Sequence, residues 1–193
     1  MRTILLILYL VLSASIVDAA TQFRVEPVNA TVAFSIKKWG VIEEEGAFRD
    51  FDGTILFDGK DPSKSRVDFE VQARSIDTKN GNRDSTLRSE DFFHVSKYPT
   101  LSFRSTRVAP RGDGVADVTG DLTIRGVTRR ITVPVRLIGI SLQPRVGEIA
   151  AFETSFTIDR RTFGVNGGGW TAAAPGVLGN TVTIRIAAGA IAK

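Results

Sequence analysis

Ser75-Ile76-Asp77-Thr78-Lys79-Asn80-Gly81-Asn82-Arg83-Asp84 continues as Ser85-Thr86-Leu87-Arg88-Ser89-Glu90-Asp91-Phe92-Phe93-His94 and closes with Val95-Ser96-Lys97-Tyr98-Pro99. Beyond the N-terminal leader, this is the one stretch whose apolar residues do not alternate. Asn80-Gly81-Asn82 has turn chemistry. Leu87, Phe92 and Phe93 fall at spacings that a short helix can gather on one side. Glu90 and Asp91 suit the first turn of a second short helical piece, where negative charge meets the positive end of the dipole. Pro99 ends it, because the residue before proline is pushed toward extended geometry. Residues 75–98 therefore read as a helical plug or lid in a chain otherwise built of strands.

The flanks support this. On the N-terminal side, residues 20–30 form a lead-in. Val32, Phe34 and Ile36 then alternate with small or polar neighbours, the pattern of a half-buried strand. A long strand follows over 46–58 with Phe48, Phe51, Gly53, Ile55 and Phe57. Its parity changes between Phe48 and Phe51, as a β-bulge near Arg49-Asp50 would produce. Val67, Phe69, Val71 and Ala73 alternate up to the plug. On the C-terminal side, Leu101 and Phe103 share one parity. Val118, Leu122 and Ile124 turn at Arg125-Gly126 and return through Ile131, Val133, Val135 and Leu137. Pro134 has no donor N–H, which predicts an edge or a bulge at that point. Phe152, Phe156 and Ile158 precede a Gly- and Ala-rich loop over 164–179, and Val182, Ile184 and Ile186 close the chain. About eight short strands joined by turns predict an all-β antiparallel barrel or sandwich. An eight-stranded barrel is either filled by its side chains or holds one small ligand.

Composition narrows the function classes. The chain has 193 residues, a net charge of +4 and no cysteine, so disulfides, thiolate metal sites and cysteine nucleophiles are excluded. Residues 1–19 read as a signal peptide. Arg2 is its basic start, residues 4–12 are apolar but too short to span a bilayer, and small residues precede a cut near Ala19. Residues 20–193 are then one exported domain, periplasmic or secreted.

Catalytic constellations are sparse. His94 is the single histidine and cannot supply a zinc site without cysteines, so no metal and no catalytic residue is assigned. Asp77, Asp84, Glu90 and Asp91 have Lys79, Arg83 and Arg88 as neighbours and read as caps and ion pairs. Asp159 and Arg160 read as a structural pair. Gly167-Gly168-Gly169-Trp170 lacks the Lys and Ser/Thr of a P-loop and reads as a loop at the barrel mouth. Basic residues are scattered and no recognition helix is visible, which excludes nucleic acid.

These motifs together resemble the YceI-like family of bacterial periplasmic polyisoprenoid-binding proteins. The likeness rests on residues 32–40, on Gly46-Ala47-Phe48 with Phe51-Asp52-Gly53, and on Ser75-Ile76-Asp77-Thr78 with Asn82-Arg83-Asp84, Leu87-Arg88 and Asp91-Phe92-Phe93. Tyr98-Pro99, residues 120–128, Ile158-Asp159-Arg160 and Phe163-Gly164-Val165 extend it over residues 23 to about 190. Lys38, His94 and Thr162 depart from the family pattern, which bears on the head group bound. The resemblance implies a lipocalin-like barrel with an apolar tunnel for a polyprenyl chain or a quinone-like lipid, with no cofactor required. Apolarity picks Phe34, Ile36, Phe51, Ile55, Phe57, Phe69, Val71, Phe92, Phe103, Leu122, Ile124 and Phe156 as its lining. Lys38, Arg129 and Arg130 are the candidate head-group contacts. The expected function is a non-catalytic carrier. The alternatives are a packed barrel acting through its surface on a membrane redox protein and an enzyme modifying such a lipid. A membrane surface and a homodimer stay open as partners.

Overall fold

The computed structural model describes residues 20–173 and 176–193, so the signal-peptide expectation lies outside the described residues. Among the described residues, ten strands are laid down in chain order. They are β1 Thr21–Lys38, β2 Ile42–Phe48, β3 Phe51–Phe57, β4 Arg66–Gln72, β5 Ile76–Asp77, β6 Thr100–Gly112, β7 Val115–Ile124, β8 Val127–Gln143, β9 Gly147–Asp159 and β10 Leu178–Ala192. The helices are α1 Gly81–Arg88 and the six-residue α2 Gly168–Ala173. Eight strands close a ring in the order β1-β3-β4-β6-β7-β8-β9-β10, with β10 pairing back onto β1 and every pairing antiparallel. The expected all-β, eight-stranded antiparallel barrel with a short helical segment is what the chain forms.

Three local expectations are corrected. The lead-in over 20–30 is strand: β1 starts at Thr21 and carries an irregularity between Val25 and Ala30. Its first half pairs with β3 and its second half with β2. The parity change at Arg49-Asp50 is accordingly a break between β2 and β3, not a bulge within one strand. There Arg49 N–H donates to the Ser75 carbonyl and Gln72 N–H to the Asp50 carbonyl, so the freed backbone is paired elsewhere. The plug holds one helix rather than two. Asn80 caps it, accepting from Arg83 N–H at 3.1 Å, and residues 89–97 are successive turns. At Pro134 the ladder to β9 has not yet begun; it starts at Val135. The missing donor therefore costs no strand hydrogen bond.

Among the described residues, three apolar clusters hold the barrel, the smallest being Val108, Val118 and Val133 on β6, β7 and β8. Another gathers Phe23, Val25, Phe51, Ile76, Phe152 and Ala190 from β1, β3, β5, β9 and β10. The third gathers Phe92, Leu122, Ile124, Phe163 and Val165, and seals the barrel end where the plug sits. Leu87 and Phe93 pack against both of the larger clusters, and Phe93 meets Phe48 edge-on at 5.8 Å. The plug thus joins the core instead of lying over it.

Candidate functional site

The barrel encloses a cavity of about 460 Å³ whose wall is almost wholly apolar. Alternation puts one side-chain row of each strand inside. Of the twelve residues picked from the sequence, Phe34, Ile55, Phe57, Phe69, Val71, Phe103, Leu122, Ile124 and Phe156 lie on that wall. Ile36, Phe51 and Phe92 do not. Phe51 is buried in the core, stacked on Phe69 with ring centres 5.8 Å apart. Phe92 is buried in the plug-end cluster. Ile36 is half-buried opposite Val182 and Glu44. The wall also takes Val32, Val67, Val118, Val133, Leu137 and Ile186, which belong to the same alternating rows.

Three glycines widen the cavity. Phe34 faces Gly46 and Phe69 faces Gly53 across neighbouring strands. A Cβ at Gly46 would stand 2.4 Å from Phe34 Cζ, one at Gly53 2.5 Å from Phe69 Cδ2, and one at Gly120 2.5 Å from Phe103 Cζ. Each ring therefore lies against bare backbone, and the lumen keeps the space an upright ring would fill. A glycine in a strand marks such a close approach.

The cavity reaches solvent at one end only of its lining. Gly59 and Gly114 in the β3–β4 and β6–β7 turns, with Pro110 and Gly112 at the end of β6, are all exposed and lie opposite the plug. Just beyond this mouth the β8–β9 hairpin exposes Ile138, Ile140, Leu142 and Val146. Lys38, Arg129 and Arg130 are at the plugged end and off the wall. Lys38 sits 3.8 Å from Glu44 and over the Trp39 ring, Arg129 Nε donates to the Thr162 carbonyl, and Arg130 pairs with Asp121 at 2.9 Å.

Polar side chains hold the plug rather than line the lumen. Asp84 is buried and accepts from Thr78 N–H at 2.9 Å and from Thr78 Oγ1 at 2.6 Å. Arg83 donates to Thr78 Oγ1 and the Thr78 carbonyl and pairs with Glu44. Arg88 donates to the Arg74 and Ile76 carbonyls. Arg125 reaches from the β7–β8 turn to the Glu90 carbonyl at 2.7 Å. Asp77 is held below the usual carboxylate range by the Lys79 backbone N–H and the Arg49 guanidinium. The caps and ion pairs expected there are found in part: Asp77 pairs with Arg49, whereas Arg83 turns to Glu44 and Arg88 to backbone carbonyls instead of to the neighbouring carboxylates. The expected Asp159–Arg160 pair is not formed: Asp159 binds Arg161 at 2.6 Å, while Arg160 turns inward. The glycine run 167–169 lies beside the plug, where Gly167 N–H donates to the Asp91 carbonyl, and not at the open mouth. His94 is half-buried with its ring edge-on to Tyr98, 5.9 Å away.

Inside the wall the lone titratable residue is Glu153, which is exposed on β9 and faces Arg136 at 3.5 Å. Thr154 Oγ1 is buried without a hydrogen-bond partner. A closed β-barrel with an apolar, one-ended interior is the form of a protein that shelters an apolar molecule. Residues 23–190 match the YceI-like domain, and the chain belongs to that family. It is 44% identical over 140 residues to a UPF0312 protein of Pseudomonas aeruginosa, covering 72% of this chain and 73% of that protein. Its fold superposes on the crystal structure of Burkholderia cenocepacia BcnA with a TM-score of 0.78 at 25% identity, over 86% of this chain and 98% of that one. A polyisoprenoid binding domain from Saccharophagus degradans shares the fold at TM-score 0.72 and 16% identity, over 90% of this chain and 99% of that one.

Proposed function

We propose that this protein is a non-catalytic carrier for a long apolar isoprenoid-type lipid, a polyprenyl chain or a quinone precursor, acting outside the cytoplasm. The observation that carries the reading is the 460 Å³ apolar cavity open at one end. Burial of each methylene contributes about 0.8 kcal/mol, so ten of them contribute about 8 kcal/mol. Lost translational freedom and chain ordering offset several kcal/mol of that. Binding in the micromolar range needs a net of about 8 kcal/mol, which a chain somewhat longer than ten methylenes supplies. The barrel is not filled by its own side chains, which weighs against action through the surface alone. The titratable residue on its wall, Glu153, is exposed and paired with Arg136, which weighs against chemistry on the lipid. Ile138, Ile140 and Leu142 beside the mouth suit contact with the bilayer from which a water-insoluble chain is drawn.

The test is native mass spectrometry of the mature protein, purified from its own source without detergent, followed by organic extraction. A stoichiometric prenyl lipid or quinone is expected. Phe103→Asp, which puts a charge on the wall, is expected to abolish its retention. A clean apo mass that does not shift with added prenyl lipid would overturn the reading.

A further inference from the structure

Behind the plug, away from the open mouth, lies a second cavity of about 240 Å³ with a different chemistry. Arg160, Arg161, Asn166, Thr171, Asn180 and Leu178 line it, and no carboxylate does. Asp159 is taken by Arg161, and Asp91 packs against Gly168 outside the lining. Arg160 is the unusual member. It is 7% exposed, yet its hydrogen-bond partners are all neutral. Nε donates to the Gly179 carbonyl at 2.9 Å, Nη1 to the Val165 carbonyl at 2.6 Å and Nη2 to Asn180 Oδ1 at 3.2 Å. No ion pair includes it among the described residues. A guanidinium has five N–H donors, so one remains on each terminal nitrogen. Burial pushes its pKa down, opposed by the charge of neighbouring Asp159, whose carboxylate is hydrogen-bonded to Arg161 and not to Arg160. A buried charge left with neutral partners is costly, and an anion brought to it recovers that cost.

We infer that this polar cavity is an oxyanion site of the phosphate class, with Arg160 as its central donor, Arg161, paired with Asp159, beside it, and Asn180 and Thr171 at its rim. A guanidinium meets phosphate oxygens through two parallel hydrogen bonds, which the two spare N–H groups permit. The anion is either free phosphate or pyrophosphate, or the head group of a prenyl phosphate. The site goes beyond the carrier reading and stands without it, because the cavity is separate from the apolar lumen.

The experiment is ³¹P NMR and calorimetric titration of the mature protein with inorganic pyrophosphate, farnesyl pyrophosphate and farnesol. Saturable binding of inorganic pyrophosphate, weakened by salt, would assign a free anion. Binding of farnesyl pyrophosphate with neither inorganic pyrophosphate nor farnesol would assign a lipid head group. In either case Arg160→Lys is expected to weaken binding by about tenfold or more, with the far-UV spectrum unchanged. If Arg160→Lys does not fold, Arg161→Gln and Thr171→Val serve instead, each expected to weaken binding severalfold. Phe103→Asp is expected to leave inorganic pyrophosphate binding intact, which separates this site from the lumen. No binding of either phosphate, or binding that none of these cavity variants weakens, would overturn the inference.

Discussion

Gly53→Ala should narrow the lumen. An added Cβ would lie 2.5 Å from Phe69 Cδ2 and 2.9 Å from Val25 Cγ2. Carbon atoms in comfortable contact stand roughly 3.5 Å apart, so the ring must retreat by roughly 1 Å. Val25 is itself buried, and Phe51 is stacked on the same ring. The open direction is the lumen. Overpacking of this kind costs about 1–3 kcal/mol in stability. A ring advancing into the cavity also displaces one or two methylenes of a bound chain, about 0.8–1.6 kcal/mol, or roughly 4- to 15-fold in affinity. Urea denaturation reads the first quantity, and displacement of a fluorescent prenyl probe reads the second. Gly53→Ala with Phe69→Leu should regain much of both, because the smaller side chain leaves room for the methyl. The two substitutions would then couple strongly in a double-mutant cycle. Additive effects, or a single variant as stable and as retentive as the parent, would refute the idea that the ring rests on the glycine.

Further outcomes follow from the polar groups. Thr154→Val removes a buried hydroxyl that has no partner, and is expected to raise the urea-unfolding free energy by about 1 kcal/mol without weakening retention of an apolar chain. A loss of stability would mean that the hydroxyl is satisfied in solution. Asp84→Ala leaves two Thr78 donors unpaired, and should cost about 2–3 kcal/mol with faster amide exchange concentrated in residues 76–88. Uniform acceleration across the barrel would argue that the plug does not open by itself. Asp77 has a folded pKa lowered by the Lys79 N–H and by Arg49. Its contribution is therefore present above the unfolded aspartate value of about 3.9 and is lost as pH falls through the lower folded value. Carboxyl NMR should show Asp77 titrating below the ordinary aspartate range, with the plug loosening only in acid. A midpoint at or above that range would contradict the latch.

Much of the architecture is written in local pattern. A strand buried on one face must alternate, so the rows through Phe34, Phe69, Phe103, Leu122 and Phe156 could be read directly, as could the one segment that breaks the rhythm. Most of the lining residues that follow from parity are found on the wall, but Ile36 and Phe51, which share the parity of Phe34 and Ile55, are not. Parity cannot say how far along the barrel axis an inward residue sits. Phe51 and Phe92 are apolar and inward in that sense, but the plug brings Phe92 into the closed end, and Phe51 stacks behind Phe69. The open end was not legible, since it depends on which turns the plug leaves uncovered. Lys38, Arg129 and Arg130 were chosen as charges near strand ends and lie at the sealed end. Sequence adjacency suggested Asp159 with Arg160, whereas the 3-10 turn over Arg160–Phe163 carries Arg160 inside and leaves Asp159 to Arg161. By itself, then, the sequence determined the strands, their buried faces and the existence of a plug, because these follow from backbone geometry and burial over a few residues. Ring closure decided the rest: which end opens, which aromatics face the lumen and which arginine loses its water, because each of these depends on contacts between residues far apart in the chain.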